Sequence, residues 1–162
     1  MPTDNAGGEG RRDAGSVTVL TAEDELRIRE LVARYHDAVN RVDVATWAAT
    51  WADDAQWHLG KQSVVGRTAI VERWKQIMAP YESRLVQLAV PQLVRAAPGG
   101  AEGQSAFLEI ARKAGENSDH IEVGCYADRY TRQAGRWVFA ERRFSLAYRG
   151  AIAAGTFLPR GW

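Results

Sequence analysis

The segment from Tyr35 to Trp57, YHDAVNRVDVATWAATWADDAQW, constrains the fold more than any other part of this chain. It closes one predicted helix, contains a second and ends in an aromatic strand. Apolar residues recur every three or four positions along residues 28–39, which predicts a helix over residues 22–41 that is capped by Thr21 and turns Tyr35 inward. The segment therefore indicates a small domain that forms a pocket.

A second, shorter helix is predicted to follow. Asp43 and Thr46 are typical of a helix start, and the helix is expected to end near Asp53. Trp47 and Trp51 are four residues apart and would therefore share one face of this helix. The acidic pair at positions 53 and 54 is interpreted as a structural cap where helix gives way to strand.

Beyond the acidic pair, the pattern predicts a strand, a helix and four long strands. The alternation of Ala55, Trp57 and Leu59 predicts the short strand. Thr68 is the expected N-cap of a third helix, which Pro80 stops. The long strands are predicted over residues 84–96, 103–113, 119–132 and 136–148. Helices followed by antiparallel strands predict an α+β fold in which one curved sheet wraps the helices.

The chain is long enough for one domain and short for two, with 162 residues of which 46% are hydrophobic. Residues 1–20 are rich in glycine and charge, and we expect a disordered tail there. Residues 21–150 form the predicted domain. Residues 151–162 are expected to form a C-terminal segment that lies over the mouth of a cavity as a lid.

The composition excludes several classes of partner and compartment. The 21 Lys and Arg residues nearly balance the 20 Asp and Glu residues, so we expect no nucleic acid and no membrane surface as partner. No apolar run reaches the length of a membrane span. Cys125 is the only cysteine, which excludes an internal disulfide and favours a reducing, cytoplasmic location.

The order of these landmarks resembles the SnoaL-like branch of the nuclear transport factor 2-like superfamily, which includes scytalone dehydratase, lindane dehydrochlorinase and ketosteroid isomerase. The residues that carry the resemblance are Tyr35, Asp43, Trp47, WADDAQW at 51–57, Gly66 with Ile70, and YADRYTRQAGRWVFAERR at 126–143. The resemblance implies a cone-shaped α+β barrel with three N-terminal helices packed on a curved, mainly antiparallel sheet. The cone encloses one deep apolar cavity, and members of the family include lyases, cyclases, isomerases and non-catalytic binders.

The dehydratase and dehydrochlorinase relatives abstract a proton with a His-Asp dyad, and this sequence departs from that pattern. The resemblance puts Asn40 at the aspartate position and Gln87 at the histidine position. Neutral amides can orient a substrate by hydrogen bonds, but they cannot accept a proton near neutral pH. The alternatives are that Asn40 caps the helix end and that Gln87 is a satisfied polar group in the sheet.

Two further residues are candidates for stabilising negative charge. Tyr35 falls on the oxyanion-holding tyrosine of ketosteroid isomerase, whereas the catalytic aspartate of that enzyme falls on Leu59. Arg142 matches an arginine that assists departure of the leaving group in the dehydrochlorinase. The alternatives are a core tyrosine at position 35, and an ion pair of Arg142 with Asp128 or Glu122.

The resemblance turns the even-numbered face of the strand at 119–132 towards the cavity. The predicted ligand-contacting residues are Asn40, Trp57, Leu59, Gln87, Tyr126, Phe144 and Leu146, a lining that suits a flat, small hydrophobic ligand. The odd-numbered face, which carries Val123 and Cys125, is apolar and needs cover. We therefore expect a homodimer.

Three histidines, His36, His58 and His120, remain as candidate bases. His36 is expected near the pocket edge, His58 out of phase with the cavity and His120 at a strand start. Their spacing does not form a metal site, so we expect no metal and no cofactor.

The sequence thus favours a cofactor-free enzyme that performs elimination, isomerisation or cyclisation on an oxygenated or aromatic molecule, with Tyr35 and Arg142 as the catalytic candidates. A non-catalytic binding protein and an assembly module that uses the sheet face are the alternatives.

Overall fold

The structure is a computed structural model that describes residues 19–82 and 84–158. Its helices are α1 (Ala22–Arg41), α2 (Val44–Ala48) and α3 (Arg67–Met78), followed by a short 3-10 helix at Ala79–Tyr81. Its strands are β1 (Trp51–Leu59), β2 (Gln62–Val65), β3 (Leu85–Ala97), β4 (Gly100–Ala111), β5 (Ser118–Gln133) and β6 (Arg136–Ala153). The predicted α+β class is confirmed, whereas the predicted tail lies outside the described residues up to position 18.

The strands form one curved, unclosed sheet in the order β2-β1-β6-β5-β4-β3. All neighbouring strands are antiparallel except β1 and β6, which run parallel and bring Trp57 opposite Arg142. The helices pack against this sheet as predicted. Within the described ranges, no helix is long and apolar enough to span a membrane.

The first helix forms where the sequence predicts it. The Thr21 side chain accepts a hydrogen bond from the Asp24 N–H, and the Asp24 carboxylate accepts one from the Thr21 N–H, which makes a capping box. The same carboxylate accepts from Trp137 Nε1 at 3.0 Å and pairs with Arg132, so the start of α1 is tied to the β5–β6 hairpin. The apolar stripe of α1 is buried from Ile28 to Val39.

The second helix is shorter than predicted, and the prediction that it ends near Asp53 is wrong. It ends at Ala48, and β1 begins at Trp51. The Thr50 carbonyl accepts from the Phe139 N–H at 2.8 Å, because pairing with β6 draws the chain into the sheet. Trp47 and Trp51 therefore belong to different elements, although their ring centroids are still 5.4 Å apart.

The acidic pair lies inside β1 rather than at a cap. Both side chains are exposed, and Asp53 pairs with Arg67 at 2.9 Å. The third helix also begins earlier than expected, at Arg67, with Gly66 rather than Thr68 as its N-cap. Gly66 has a φ of +88° and donates its N–H to Ala55 at 2.8 Å, a conformation that favours glycine.

The long strands match the predicted pattern, with one large boundary difference. β6 continues to Ala153, because its last residues pair with the first residues of β5. The inward face of β5 is the even-numbered one, as predicted, since Tyr126, Asp128 and Tyr130 are buried. Cys125 on the opposite face is exposed.

Candidate functional site

A cavity of about 380 Å³ opens between the helices and the inner face of the sheet. Its apolar walls come from five elements, and they include Trp57, Leu59, Trp74, Ile77, Met78, Leu85 and Phe144. Its polar lining consists of Tyr35, Gln62, Arg73, Tyr81, Gln87, Glu109, Glu122, Tyr126 and Arg149. A cavity of this size, with apolar walls and several polar groups, suits one small molecule.

The structure brings most of the sequence-predicted site residues to this cavity. Those that line it are Tyr35, Trp57, Leu59, Gln87, Tyr126 and Phe144. Asn40, Arg142 and Leu146 are not part of its lining. Leu146 is 39% exposed on β6, beside the irregular pairing at Gly124.

Asn40 acts on the cavity through Gln87. Its side-chain amide donates to the Gln87 carbonyl at 2.8 Å and accepts from the Gln87 N–H at 2.7 Å. The two hydrogen bonds fix the β3 backbone against the end of α1. Both bonds use the main chain of Gln87, so its side chain is available for hydrogen bonds to other residues.

The Gln87 side chain connects a histidine to a carboxyl group. Its Nε2 donates to Glu109 Oε2 at 2.9 Å and lies 3.5 Å from the Tyr126 hydroxyl. Its Oε1 lies 2.6 Å from Nδ1 of His36. Since the amide nitrogen faces the carboxyl, the amide oxygen accepts, and His36 donates from Nδ1 as the neutral tautomer.

Glu109 is a candidate functional residue that the sequence pattern did not single out. It lines the cavity, and its carboxyl is largely buried. Burial is the main cause that raises the pKa of Glu109 to about 7, and the neighbouring Glu122 adds to it. A signal was present in the strand AFLEIA at 106–111, where one acid stands in an otherwise apolar run.

Glu109 belongs to a row of polar side chains that crosses the inner face of the sheet. Gln87 pairs with Glu109 across β3 and β4, Glu109 with Glu122 across β4 and β5, and Glu122 with Arg149 across β5 and β6. Arg149 Nε donates to Glu122 Oε1 at 2.7 Å. The Glu122 carboxylate is therefore paired with a cation, whereas the Glu109 carboxyl has, among the described residues, only the Gln87 amide as a hydrogen-bond donor.

Arg142 lies beneath the cavity, not in its wall. Its guanidinium is fully buried and forms two hydrogen bonds with Asp128, at 2.8 and 3.0 Å. Its carbon Cζ lies 4.2 Å from the ring centroid of Tyr35 and 4.0 Å from that of Tyr126. The ion pair with Asp128 named as the alternative is the arrangement observed, and Arg142 supports the two tyrosine rings from below.

Both tyrosines remain hydrogen-bond donors at any ordinary pH. Burial is the largest cause that raises the pKa of Tyr35, and it raises the pKa of Tyr126 well above its usual value. Both side chains line the cavity. Protonated hydroxyls in a dry site can stabilise a negative charge that develops on a bound oxygen.

None of the three histidines is placed to act as a base in the cavity. His36 is buried, and burial together with the charge of Arg142 lowers its pKa to about 3. His58 lies 3.1 Å from Glu141 and 2.7 Å from Ser63 Oγ, and it does not line the cavity. His120 contacts Glu116 at 2.5 Å, near the turn before β5.

The segment after β6 turns back towards the β4–β5 hairpin. The Gly155 N–H donates to Asp119 at 2.8 Å, and Arg112 donates to the Gly155 carbonyl at 2.8 Å. Arg112 also lies over the Phe157 ring, 5.4 Å from its centroid. The described part of this segment does not line the cavity, and closure over the mouth stays a prediction.

The chain belongs to the SnoaL-like domain family, whose model matches residues 20–143. The resemblance stated from the sequence is confirmed. Among proteins with curated descriptions, none matches this sequence.

Solved structures share the fold. A hexachlorocyclohexane dehydrochlorinase from Novosphingobium barchaimii is similar with a TM-score of 0.75 at 18% identity, over 85% of this chain and 96% of that one. A scytalone dehydratase-like protein from Novosphingobium aromaticivorans has a TM-score of 0.73 at 18% identity, over 86% and 95%. A protein of unknown function from Mycobacterium tuberculosis has a TM-score of 0.67 at 27% identity, over 80% and 78%.

Proposed function

We propose that this protein is a cofactor-free lyase or isomerase that removes a proton from a small hydrophobic, oxygenated molecule, with Glu109 as the general base. The observation that carries the proposal is the position of the Glu109 carboxyl. It lies in the wall of an apolar cavity, held by the Gln87 amide at 2.9 Å, with two tyrosines in the same lining. This base stands in for the family dyad, whose positions are occupied here by Asn40 and Gln87.

The proposed reaction begins with proton transfer from carbon to the Glu109 carboxylate. The electron pair of the broken C–H bond moves towards an adjacent carbonyl, and the developing oxyanion accepts hydrogen bonds from Tyr35 or Tyr126. In an elimination, this electron pair expels a leaving group from the next carbon. In an isomerisation, the protonated Glu109 returns its proton to a different carbon.

The environment of Glu109 suits this role. A general base works best when its pKa is close to the working pH, because it is then both largely deprotonated and a strong proton acceptor. The pKa of Glu109 is raised to about 7, chiefly by burial. Arg142 contributes indirectly, since it holds the Tyr35 and Tyr126 rings in position.

Proton abstraction can be tested before the natural substrate is identified. Aromatic and polyketide-like ketones that raise the melting temperature are incubated with the protein in D₂O, and deuterium uptake is followed by mass spectrometry. We expect uptake at an acidic C–H with the wild type, rising with pH through about 7 as Glu109 loses its proton.

The control variants separate catalysis from binding. Glu109→Gln should abolish deuterium uptake and keep ligand binding, because the amide has the same shape and cannot accept the proton. Glu102→Gln is a matched control on the same strand, since this carboxylate pairs with the exposed Arg95 and does not line the cavity. Equal uptake by Glu109→Gln and wild type would refute the assignment of the base.

The second candidate is a non-catalytic small-ligand binding protein. It is favoured by the amides at positions 40 and 87, because the Asn40 side chain is occupied by the Gln87 main chain. Ligands that bind with neither turnover nor deuterium uptake would support it.

We also propose that a second copy of the chain covers the outer face of the sheet. Leu88, Leu108, Val123 and Tyr148 lie opposite one another across four strands there, and Leu88 and Tyr148 are 62% and 55% exposed. An apolar row of this kind favours association. Light scattering at micromolar concentration should report a dimer that Val123→Glu dissociates, and a monomeric wild type would contradict this. The cytoplasmic location stays a prediction.

A further inference from the structure

We propose that the ligand of this cavity is a hydrophobic acid whose carboxylate is bound at the mouth by Arg73 and Arg149. The inference rests on the proposed function, because it names the class of substrate that the same site accepts. The two arginines are the cationic residues of the cavity lining. They lie on separate elements, α3 and β6.

Arg73 is a cation with only neutral partners. Its terminal nitrogens lie 3.3 Å from Gln76 Oε1 and 3.4 Å from Gln62 Oε1, both of which are long contacts to amides. The neighbouring cations of α3 behave differently. Arg67 pairs with Asp53 at 2.9 Å and Lys75 with Glu72 at 2.7 Å. In the part of the chain that the structure describes, no carboxylate lies within ion-pair distance of Arg73.

Arg149 retains donors for a ligand. It contacts Glu122 through Nε alone, at 2.7 Å, and its side chain is 62% exposed. The fork of a guanidinium can hold one carboxylate through Nε while its terminal nitrogens bind another acceptor. A ligand carboxylate can therefore bind Arg149 without breaking the pair with Glu122.

The charges of the cavity place an anion at the mouth and not deeper. Glu109 and Glu122 carry the acidic groups of the wall, so an anion inside would meet like charge. Glu122 is paired with Arg149, which leaves Arg73 as the cation of the lining that has no carboxylate partner among the described residues. Below the arginines, Trp57, Trp74 and Phe144 offer an apolar surface for a ring.

The arrangement also connects carboxylate binding to the proposed chemistry. Glu109 and Glu122 are directly paired on β4 and β5, so their Cβ atoms lie about 5 Å apart. Glu122 in turn holds Arg149. A ligand carboxylate on Arg149 would therefore bind next to the Glu122–Glu109 pair, on the same side of the cavity as the proposed base.

The test compares aromatic acids with their neutral amides. Matched carboxylate and carboxamide pairs built on benzene, naphthalene and indole are titrated calorimetrically at pH 7.5 and constant ionic strength. We expect at least one acid to bind about tenfold more tightly than its amide, the effect of one charge-assisted hydrogen bond. Arg73→Gln and Arg149→Gln should each remove most of this preference, because each should weaken binding of the acid much more than binding of the neutral amide.

Lys75→Gln is the matched control, because it removes one positive charge from the same helix at a residue that does not line the cavity. It should leave the preference for the acid intact. Equal affinity for acid and amide in every pair overturns the inference, as does an equal loss in Lys75→Gln and Arg73→Gln. If neutral ketones still exchange deuterium in a Glu109-dependent manner, this inference fails and the proposed function stands.

Discussion

Replacing Glu109 by glutamine is expected to stabilise the protein above neutral pH. The carboxyl lies largely buried in the cavity wall, where its pKa is raised from 4.5 to about 7, first by burial and then by Glu122. The folded chain therefore binds this proton more tightly than the unfolded chain does. By linkage, stability is greatest while Glu109 is protonated and falls as the pH rises from 4.5 towards 7.

The size of the effect follows from the shift in pKa. At about 1.4 kcal/mol per pKa unit, ionising Glu109 costs the folded state about 3 kcal/mol, nearly all of it below pH 8. Glutamine keeps the shape and an acceptor for the Gln87 amide, but it carries no charge. We therefore expect the variant to gain up to about 3 kcal/mol in its free energy of unfolding at pH 8, and nothing near pH 4.

Urea denaturation, followed by tryptophan fluorescence, measures this directly. Trp47, Trp51, Trp57 and Trp74 are buried in the core and will report its unfolding. The gain should move the urea midpoint at pH 8 by about 1 M or more. Glu102→Gln, at an exposed ion pair on the same strand, should change the midpoint little at either pH.

Two results would refute the reasoning. If Glu109→Gln is no more stable than the wild type at pH 8, the carboxyl is not destabilised by its surroundings. If the gain persists unchanged at pH 4, it arises from packing and not from charge.

Three further predictions concern the frame that holds the site. Asp128→Asn should lower the free energy of unfolding, measured by urea denaturation, by about 3–5 kcal/mol, because it leaves the buried guanidinium of Arg142 without its counter-ion. The double variant Asp128→Leu with Arg142→Met removes both charges and should recover most of that loss. Asp24→Asn should destabilise the protein at pH 7 but not near pH 2. A hydrogen bond from Trp137 is the first cause that lowers the pKa of Asp24 from 3.8 to about 2, and the stability that the Asp24 carboxylate contributes is lost as the pH falls through that value. Gly124→Ala should cost about 1–3 kcal/mol in thermal denaturation, because the new Cβ would clash with the backbone carbonyl oxygen of Ser145 on β6. A melting temperature equal to that of the wild type would contradict each of these, at neutral pH for the first two.

Local patterns predicted most of the fold. The stripe along residues 28–39 and the cap at Thr21 gave α1, because a helix depends on neighbours three and four residues away. The alternation on residues 119–132 separated the two faces of β5, and the family resemblance indicated that the even-numbered face is the inward one. The end of α2 was missed, because the pairing of Trp51 with Phe139 is a contact between distant parts of the chain.

The candidate site was likewise predictable from the sequence in part. Family landmarks led to Tyr35, Gln87 and Tyr126, which line the cavity. They could not show that Arg142 is enclosed with Asp128, because burial of a charge depends on the packing of several strands.

The α+β class, the buried stripe of α1 and the division of each strand into two faces could be predicted, since they depend on periodicities within one element. That Asn40 and Gln87 occupy the positions of the family dyad is implied by the resemblance and stays a prediction. The location of a possible base, in contrast, depends on contacts between distant strands. Glu109 meets Gln87 because β3 and β4 pair in one register, and a shift by one residue would turn Glu109 to the outer face. The raised pKa of Glu109 likewise results from burial of its carboxyl by residues of other elements.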